Sequence, residues 1–310
     1  KVARKLSAGR VQSVAVRLVV DREREIAQFK PQEYWTIVAT LLKNAEFEAT
    51  LTQKDDKPIG KLDIKNKEQA DAILQDLEEA EYRVASIEKK EIARNPLSPF
   101  TTSTLQQTAA QRFRFPAKLT MQIAQQLYET GLITYHRTDS VNLAVTSLTA
   151  AKRFIEKTYG TRYWTGAYRR FKTKSRGAQE AHEAIRPTDP SNVPGGLKLN
   201  PPQQKLYDLI WRRFLACQMS QAIFDATSVD VQASTYIFRT TGQMLKFDGF
   251  LKVYPMKFAE ADLPVLKEGE ILDLKKLMPS QHFTQPPPRY NEASLIKALE
   301  GYGIGRPSTY

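Results

Sequence analysis

The sequence predicts a multidomain α+β protein. Three observations lead there. The 310 residues exceed what one hydrophobic core ordinarily organises. The spacing of apolar residues runs from helical to alternating, back to helical, and again to alternating. Prolines and polar stretches fall where the period changes.

The elements follow in order. Residues 8–29 carry Val11, Val14, Ala15, Leu18, Val19 and Ile26 at helical spacing, with Ser7 as the expected N-cap. From Tyr34 to Leu51 the pattern alternates through Trp35, Ile37, Ala39 and Leu41, then Phe47, Ala49 and Leu51, which predicts half-buried strands. A short helix near 67–79 and a strand near 82–93 come next. Pro96 and Pro99 then bias the chain toward extended structure and mark a boundary. Helical spacing returns near 103–114, 118–130, 146–159 and 202–220, interrupted by a polar stretch around 172–177. Alternation resumes through Ser228–Arg239 and Gln243–Tyr254, and the chain closes with Pro286-Pro287-Pro288 and a helix near 292–300. Two β regions of similar character, separated by a helical block, are best read as one domain interrupted by an insertion. The expected boundaries are helical end segments at 1–30 and 286–310, a β-rich domain at 31–95 and 222–285, and a mainly helical domain at 96–221, held out as a movable lid.

Composition narrows the function. No apolar run approaches a membrane span, and the single Cys217 makes neither an internal disulfide nor a four-ligand zinc site, so a reducing cytoplasm is expected. The absence of an initial Met and the abrupt RPSTY ending read as cut ends. The net charge of +12 is unevenly spread, with 8 cations against 3 acids over 1–30, 10 against 14 over 31–95, 18 against 7 over 96–221 and 10 against 10 over 222–310. Two basic blocks suit nucleic acid, but a solvated surface has the same charge.

Two stretches crowd reactive side chains. In Gly131-Leu132-Ile133-Thr134-Tyr135-His136-Arg137-Thr138-Asp139-Ser140 a tyrosine is followed by a base, a cation and a carboxylate. A phenol is a poor nucleophile at neutral pH without neighbouring positive charge or a base. Arg137 supplies charge both for activation and for a phosphoryl group under attack. A buried tyrosine hydrogen-bonded in a loop fits the same residues. The second stretch, Gly177 to Pro187, holds Glu180, His182, Glu183 and Arg186. Three histidines in the whole chain do not readily build a zinc centre, and His182 is better suited to a phosphate or to a carboxylate such as Asp139, although a helix N-terminus with satisfied polar groups also fits. No P-loop for ATP is present. Asp21, Glu23 and Glu25, interleaved with Arg22 and Arg24, read as a solvated helix face.

LSAGRVQSVAVRLVVDRERE at 6–25, GLITYHRTDS at 131–140, AQEAHEAIRPTD at 178–189 and GYGIGRPSTY at 301–310 resemble, in order, four signature segments of bacterial type IA DNA topoisomerases. The first resembles topoisomerase I more than topoisomerase III, and reverse gyrase is the less expected alternative. The resemblance implies that Tyr135 becomes joined to a DNA 5′-phosphate, with Arg137 beside it and His182 supporting DNA near the active site. It places single-stranded DNA along Arg10, Gln12, Ser13 and Arg17 of the first helix and along Arg306, Ser308 and Thr309 of the last motif, with Asp139 and Arg186 nearby. The two ends should therefore meet. It also implies an arch in which the β region is a hinge crossed twice and the helical domain is a gate. His136 stands where Met is common in the family. The resemblance further implies an N-terminal Toprim partner domain whose acidic cluster binds Mg²⁺. No such domain lies in this sequence, and no metal ligand is expected from it. The readings to separate are a topoisomerase core acting on negatively supercoiled DNA, and a non-catalytic DNA-binding module.

Overall fold

A computed structural model describes residues 9, 11–172, 182–258 and 263–309. Helix α1 spans Gln12–Gln28, strand β1 Glu33–Leu42, β2 Glu46–Lys54, the short β3 Lys57–Pro58, α2 Lys67–Leu77 and β4 Tyr82–Arg94. Helices α3 (Thr102–Phe113), α4 (Ala117–Glu129), α5 (Val145–Tyr159) and α6 (Pro201–Cys217) follow. After them come β5 (Ala222–Ala233), β6 (Tyr236–Phe247), β7 (Ile271–Phe283) and α7 (Glu292–Gly301).

The strands close on themselves. Neighbours run β1-β7-β4-β5-β6-β2, and β1 pairs with β2 as well, so six antiparallel strands form a barrel with β3 as a two-residue extension on β2. Alternate side chains of each strand face one side. Ile37, Ala39, Leu41, Phe47, Ala49 and Leu51 of the first hairpin pack with Tyr82, Val84, Val229, Val231, Tyr236 and Phe238. Ala70, Ile73 and Leu77 of α2 join this core. The seam between β4 and β7 is short, with Tyr82 opposite Leu272 and Arg83 opposite Ile271. Beyond it β4 pairs with β5 alone on that side, out to Arg94 opposite Ala222.

Those two residues are where the chain leaves for the helices and returns. The helices form a second, separate core around α6, which buries residues on nearly every face, as a central helix must. Asn200 and Thr101 close capping boxes at the starts of α6 and α3, fixing where each begins. Phe224, Phe250, Val253 and Tyr254 pack into this helical core, although they follow the boundary expected at 221.

Local differences from the sequence reading have physical causes. The strands expected at 228–239 and 243–254 are instead β5 and β6, which turn at Ser234, whose φ is +53°. Buried residues fall on odd positions from Val229 through Ala233 and on even positions from Tyr236, so the phase break was the turn signal. Residues 249–252 are a 3-10 turn rather than strand. β7 has no clean alternation in its sequence because apolar Ile271 and Phe283 are exposed along with Asp273, Lys275, Lys276 and Gln281, and the consecutive pair Lys275-Lys276 breaks the rhythm. Helix α1 forms, but from Gln12, and buries none of its residues; Val16 is 63% exposed. Ser7 lies outside the described residues. The end segments touch through Arg22, which donates to the Pro288 carbonyl at 2.6 Å and lies 4.3 Å over the Tyr290 ring, and through Glu23 paired with Arg289. No helix among the described residues is long and apolar enough to cross a membrane.

Candidate active site

Two helices ending in the same way deliver the walls of one cleft. At the end of α4, Gly131 adopts φ +72°, its N–H donates to the Tyr128 carbonyl and that of Leu132 to Leu127. At the end of α7, Gly303 has φ +69°, with its N–H to Glu300 and that of Ile304 to Leu299. Both are Schellman endings, which require a left-handed residue at the glycine and turn the chain sharply back.

From the first ending the chain is strapped to the second reactive stretch. Ile133 bridges Pro187, Thr134 N–H donates to the Arg186 carbonyl at 2.9 Å, and the Thr134 hydroxyl donates to Ala184 at 2.7 Å. Residues 135–140 then alternate between the cleft and the interior. His136, Thr138 and Ser140 are buried, while Tyr135, Arg137 and Asp139 share the cleft side. Thr102, in the first turn of α3, holds this loop: its hydroxyl donates to the His136 carbonyl at 2.7 Å and accepts from Thr138 N–H at 2.9 Å.

The cleft, about 420 Å³, is lined by Tyr135, Arg137, Asp139, His182, Arg306, Pro307 and Ser308. Tyr135 is 44% exposed, so its phenol is open to a substrate. Its ring meets Tyr128 edge-on at 5.3 Å and His136 at 5.3 Å. Arg306 approaches Asp139 at 3.9 Å, and its backbone turn is closed by Thr309, whose hydroxyl accepts from Arg306 N–H and donates to the Arg306 carbonyl. Two guanidiniums and an imidazole around a phenol suit the docking and attack of a phosphodiester.

His136 is fully buried, and neither ring nitrogen has a hydrogen-bond partner. Burial, reinforced by Arg137 and opposed by Glu129, pushes its pKa down from 6.5 to about 4, so the ring is neutral and packs as an apolar plate. A position that takes a neutral, unbonded ring is one that Met also suits.

Not every expected residue joins the cleft. Arg186 turns to Glu183 at 2.6 Å and to the Pro187 carbonyl, clamping its own loop. The same Glu183 accepts from Ala144 N–H, tying that loop to the start of α5. Gln12 and Ser13 are exposed on the first turn of α1, where Gln12 accepts from Gly9 N–H, and Arg17 pairs with Asp21 at 2.6 Å. Arg10 lies outside the described residues. Tyr128 and Thr102 were not anticipated. Tyr128 lies in the apolar rhythm of α4, while the run Thr101-Thr102-Ser103-Thr104 was a visible cue to a polar helix start. Among the described residues, no three His, Cys, Asp or Glu side chains converge as metal ligands.

Comparison with known proteins places this geometry. A family model described as DNA topoisomerase matches residues 1–310. DNA topoisomerase 1 of Pseudomonas aeruginosa is 50% identical over 316 residues, covering 100% of this chain and 36% of that protein. DNA topoisomerase 1 of Haemophilus influenzae is 47% identical over 314 residues, with 100% and 36% covered. Full-length topoisomerase I of Thermotoga maritima superposes with a TM-score of 0.81 at 36% identity over 98% of this chain and 50% of that one. The chain thus spans about a third of the curated relatives it matches.

Proposed function

Because this chain belongs to the bacterial type IA DNA topoisomerase family, we propose that it is the DNA-handling core of a topoisomerase I in which Tyr135 is the nucleophile. The observation that carries the proposal is the convergence of Tyr135, Arg137, His182 and Arg306 on one open cleft. In the proposed reaction the Tyr135 phenolic oxygen attacks phosphorus and loses its proton. The bond from phosphorus to the 3′-oxygen breaks, and that oxygen takes up a proton as it leaves. The 5′-phosphate remains on the tyrosine. Reversal by the same 3′-hydroxyl reseals the strand, and no ATP is needed because one phosphodiester is exchanged for another. Arg137 stabilises charge on the equatorial oxygens, and His182 and Arg306 hold the phosphate. Loss of one such electrostatic donor typically costs about 10²–10³ in rate.

In the whole protein this chemistry would relax negatively supercoiled DNA by passing a strand through the transient break. A single-stranded segment would lie along α1 and the 306–309 turn. The barrel would serve as a hinge crossed twice, and the helical block, 96–221, as the gate. The Toprim domain that the family resemblance implies would complete the cleft and supply the carboxylates for Mg²⁺, since the cleft itself offers one, Asp139. The protein would work in the cytoplasm, where DNA is. The relatives' name, DNA topoisomerase 1, favours this reading over a topoisomerase III or reverse gyrase core and over a non-catalytic module. In the full-length protein with Mg²⁺, Tyr135→Phe is expected to bind single strands normally and to form no denaturant-resistant adduct. An adduct from Tyr135→Phe would overturn the assignment.

A further inference from the structure

The strongest concentration of positive charge lies outside the cleft. Residues 152–172 hold seven cations, Lys152, Arg153, Lys157, Arg162, Arg169, Arg170 and Lys172, against one acid, Glu156. The part of this stretch beyond Tyr163 is irregular, yet it is firmly held. Arg169 is the anchor: its guanidinium donates to the carbonyls of Cys217 at 3.0 Å and Met219 at 2.8 Å, at the C-terminus of α6. Its backbone N–H and carbonyl are both bonded to the Gln218 amide. A cation on the last carbonyls of a helix satisfies groups that would otherwise lack partners.

This anchoring presents the neighbouring side chains outward. Tyr168 is 38% exposed, meets the half-buried Trp164, which packs on the helical core, edge-on at 5.6 Å and shares a hydrogen bond with Thr149 of α5 at 3.1 Å. Lys152 lies 5.8 Å over the Trp164 ring. On the other side of the anchor, exposed Arg170 lines a pocket of about 310 Å³ with Asn142. Asn142 is three residues from Asp139 of the cleft, a span of about 10 Å of extended chain, or about three nucleotides of a stacked strand. Fixed aromatic rings flanked by cations are the physical requirements of a single-strand track. The rings stack unpaired bases of any sequence, and the cations follow the phosphates.

From this we propose a second nucleic-acid site, in which the DNA strand held at Tyr135 continues past Asn142 and Arg170 onto the Tyr168, Trp164 and Lys152 face. It rests on the reading of the Tyr135 cleft as a single-strand site. The test compares labelled single strands of about 6 and about 20 nucleotides on the full-length protein, its Lys152→Glu/Arg170→Glu variant, and Tyr168→Ala and Tyr168→Phe. The charge variant is expected to weaken the long strand about tenfold or more and to flatten its log–log salt slope by about 1.4, two phosphates at about 0.7 each. The short strand should change less than about twofold, and Tyr168→Phe, which keeps its ring, should bind as the unaltered protein does while Tyr168→Ala does not. Adduct formation on the short strand reports independently on the Tyr135 cleft. Unchanged long-strand affinity and slope in the charge variant, as expected if another part of the protein covers this face, would overturn the track while leaving the cleft reading intact. Equal weakening of both lengths would overturn it too.

Discussion

Replacing His136 by Met isolates the effect of a buried histidine beside the nucleophile. The ring is inaccessible, lacks hydrogen bonds, and has its pKa pushed from 6.5 to about 4. A lowered folded-state value means that the native protein holds the neutral form. Stability from this group is therefore complete above pH 6.5, falls as pH drops toward 4, and is flat below. Linkage between those two values gives a loss of about 1.4 kcal/mol at pH 5.5 and about 3 kcal/mol below pH 4. His136→Met abolishes this loss, because the side chain carries no proton. It also removes two unpaired buried nitrogens, a gain of about 1 kcal/mol or more at neutral pH. Denaturant unfolding, followed for both proteins from pH 8 to pH 5, is the assay, and the difference between the two curves cancels the acid sensitivity they share. The expected difference widens by about 1.4 kcal/mol from pH 8 to pH 5.5. A difference that does not change with pH would show that His136 is not held neutral, and the account of its packing would fail.

Other outcomes follow from the same geometry. Gly131→Ala forces a side chain into φ +72° and should cost about 1 kcal/mol of stability; because that turn aims Tyr135, adduct formation in the full-length protein should slow more than strand binding weakens. Thr102→Val removes the hydroxyl between His136 and Thr138 and leaves a buried N–H unpaired, a loss of about 1–3 kcal/mol measurable by thermal unfolding, whereas Thr102→Ser should restore it. Cys217 is enclosed, and burial pushes its thiol up to about 12, so a thiol reagent at pH 8 should label it only after unfolding.

How far the sequence discloses this molecule depends on which forces set each feature. Alternation in 34–51 revealed the strands and their buried faces, since burial of every second residue is local information. Closure of the barrel was not visible, because pairing of β7 with both β1 and β4 depends on residues more than 180 positions apart in sequence. The helices of the central block were legible from their period to within a few residues. Helix α1 was legible too from its apolar spacing, although it buries none of its residues. In the cleft, Tyr135, Arg137 and Asp139 alternate with His136, Thr138 and Ser140, yet the inward members are polar and held by hydrogen bonds or by ring packing, so no hydrophobic rhythm announced which side chains turn inward. Arg186 illustrates the limit of reading charge alone. Its guanidinium looked suited to DNA and is turned to Glu183.

The pairing of Arg94 with Ala222 has a mechanical consequence. The two connections to the helical block are neighbours in a ladder running back to Tyr82 and Ala233, and at its mouth the Gln221 amide donates to Asn95 at 2.7 Å. A load that draws the block away along the strands pulls β4 and β5 in the same direction, so it creates no shear between them and passes undivided into the barrel wall. A twisting load that separates Asn95 from Gln221 meets the ladder one rung at a time, as when a zip is opened. The attachment is therefore strong in tension and yielding in torsion. Its weakest rung is the one nearest the block.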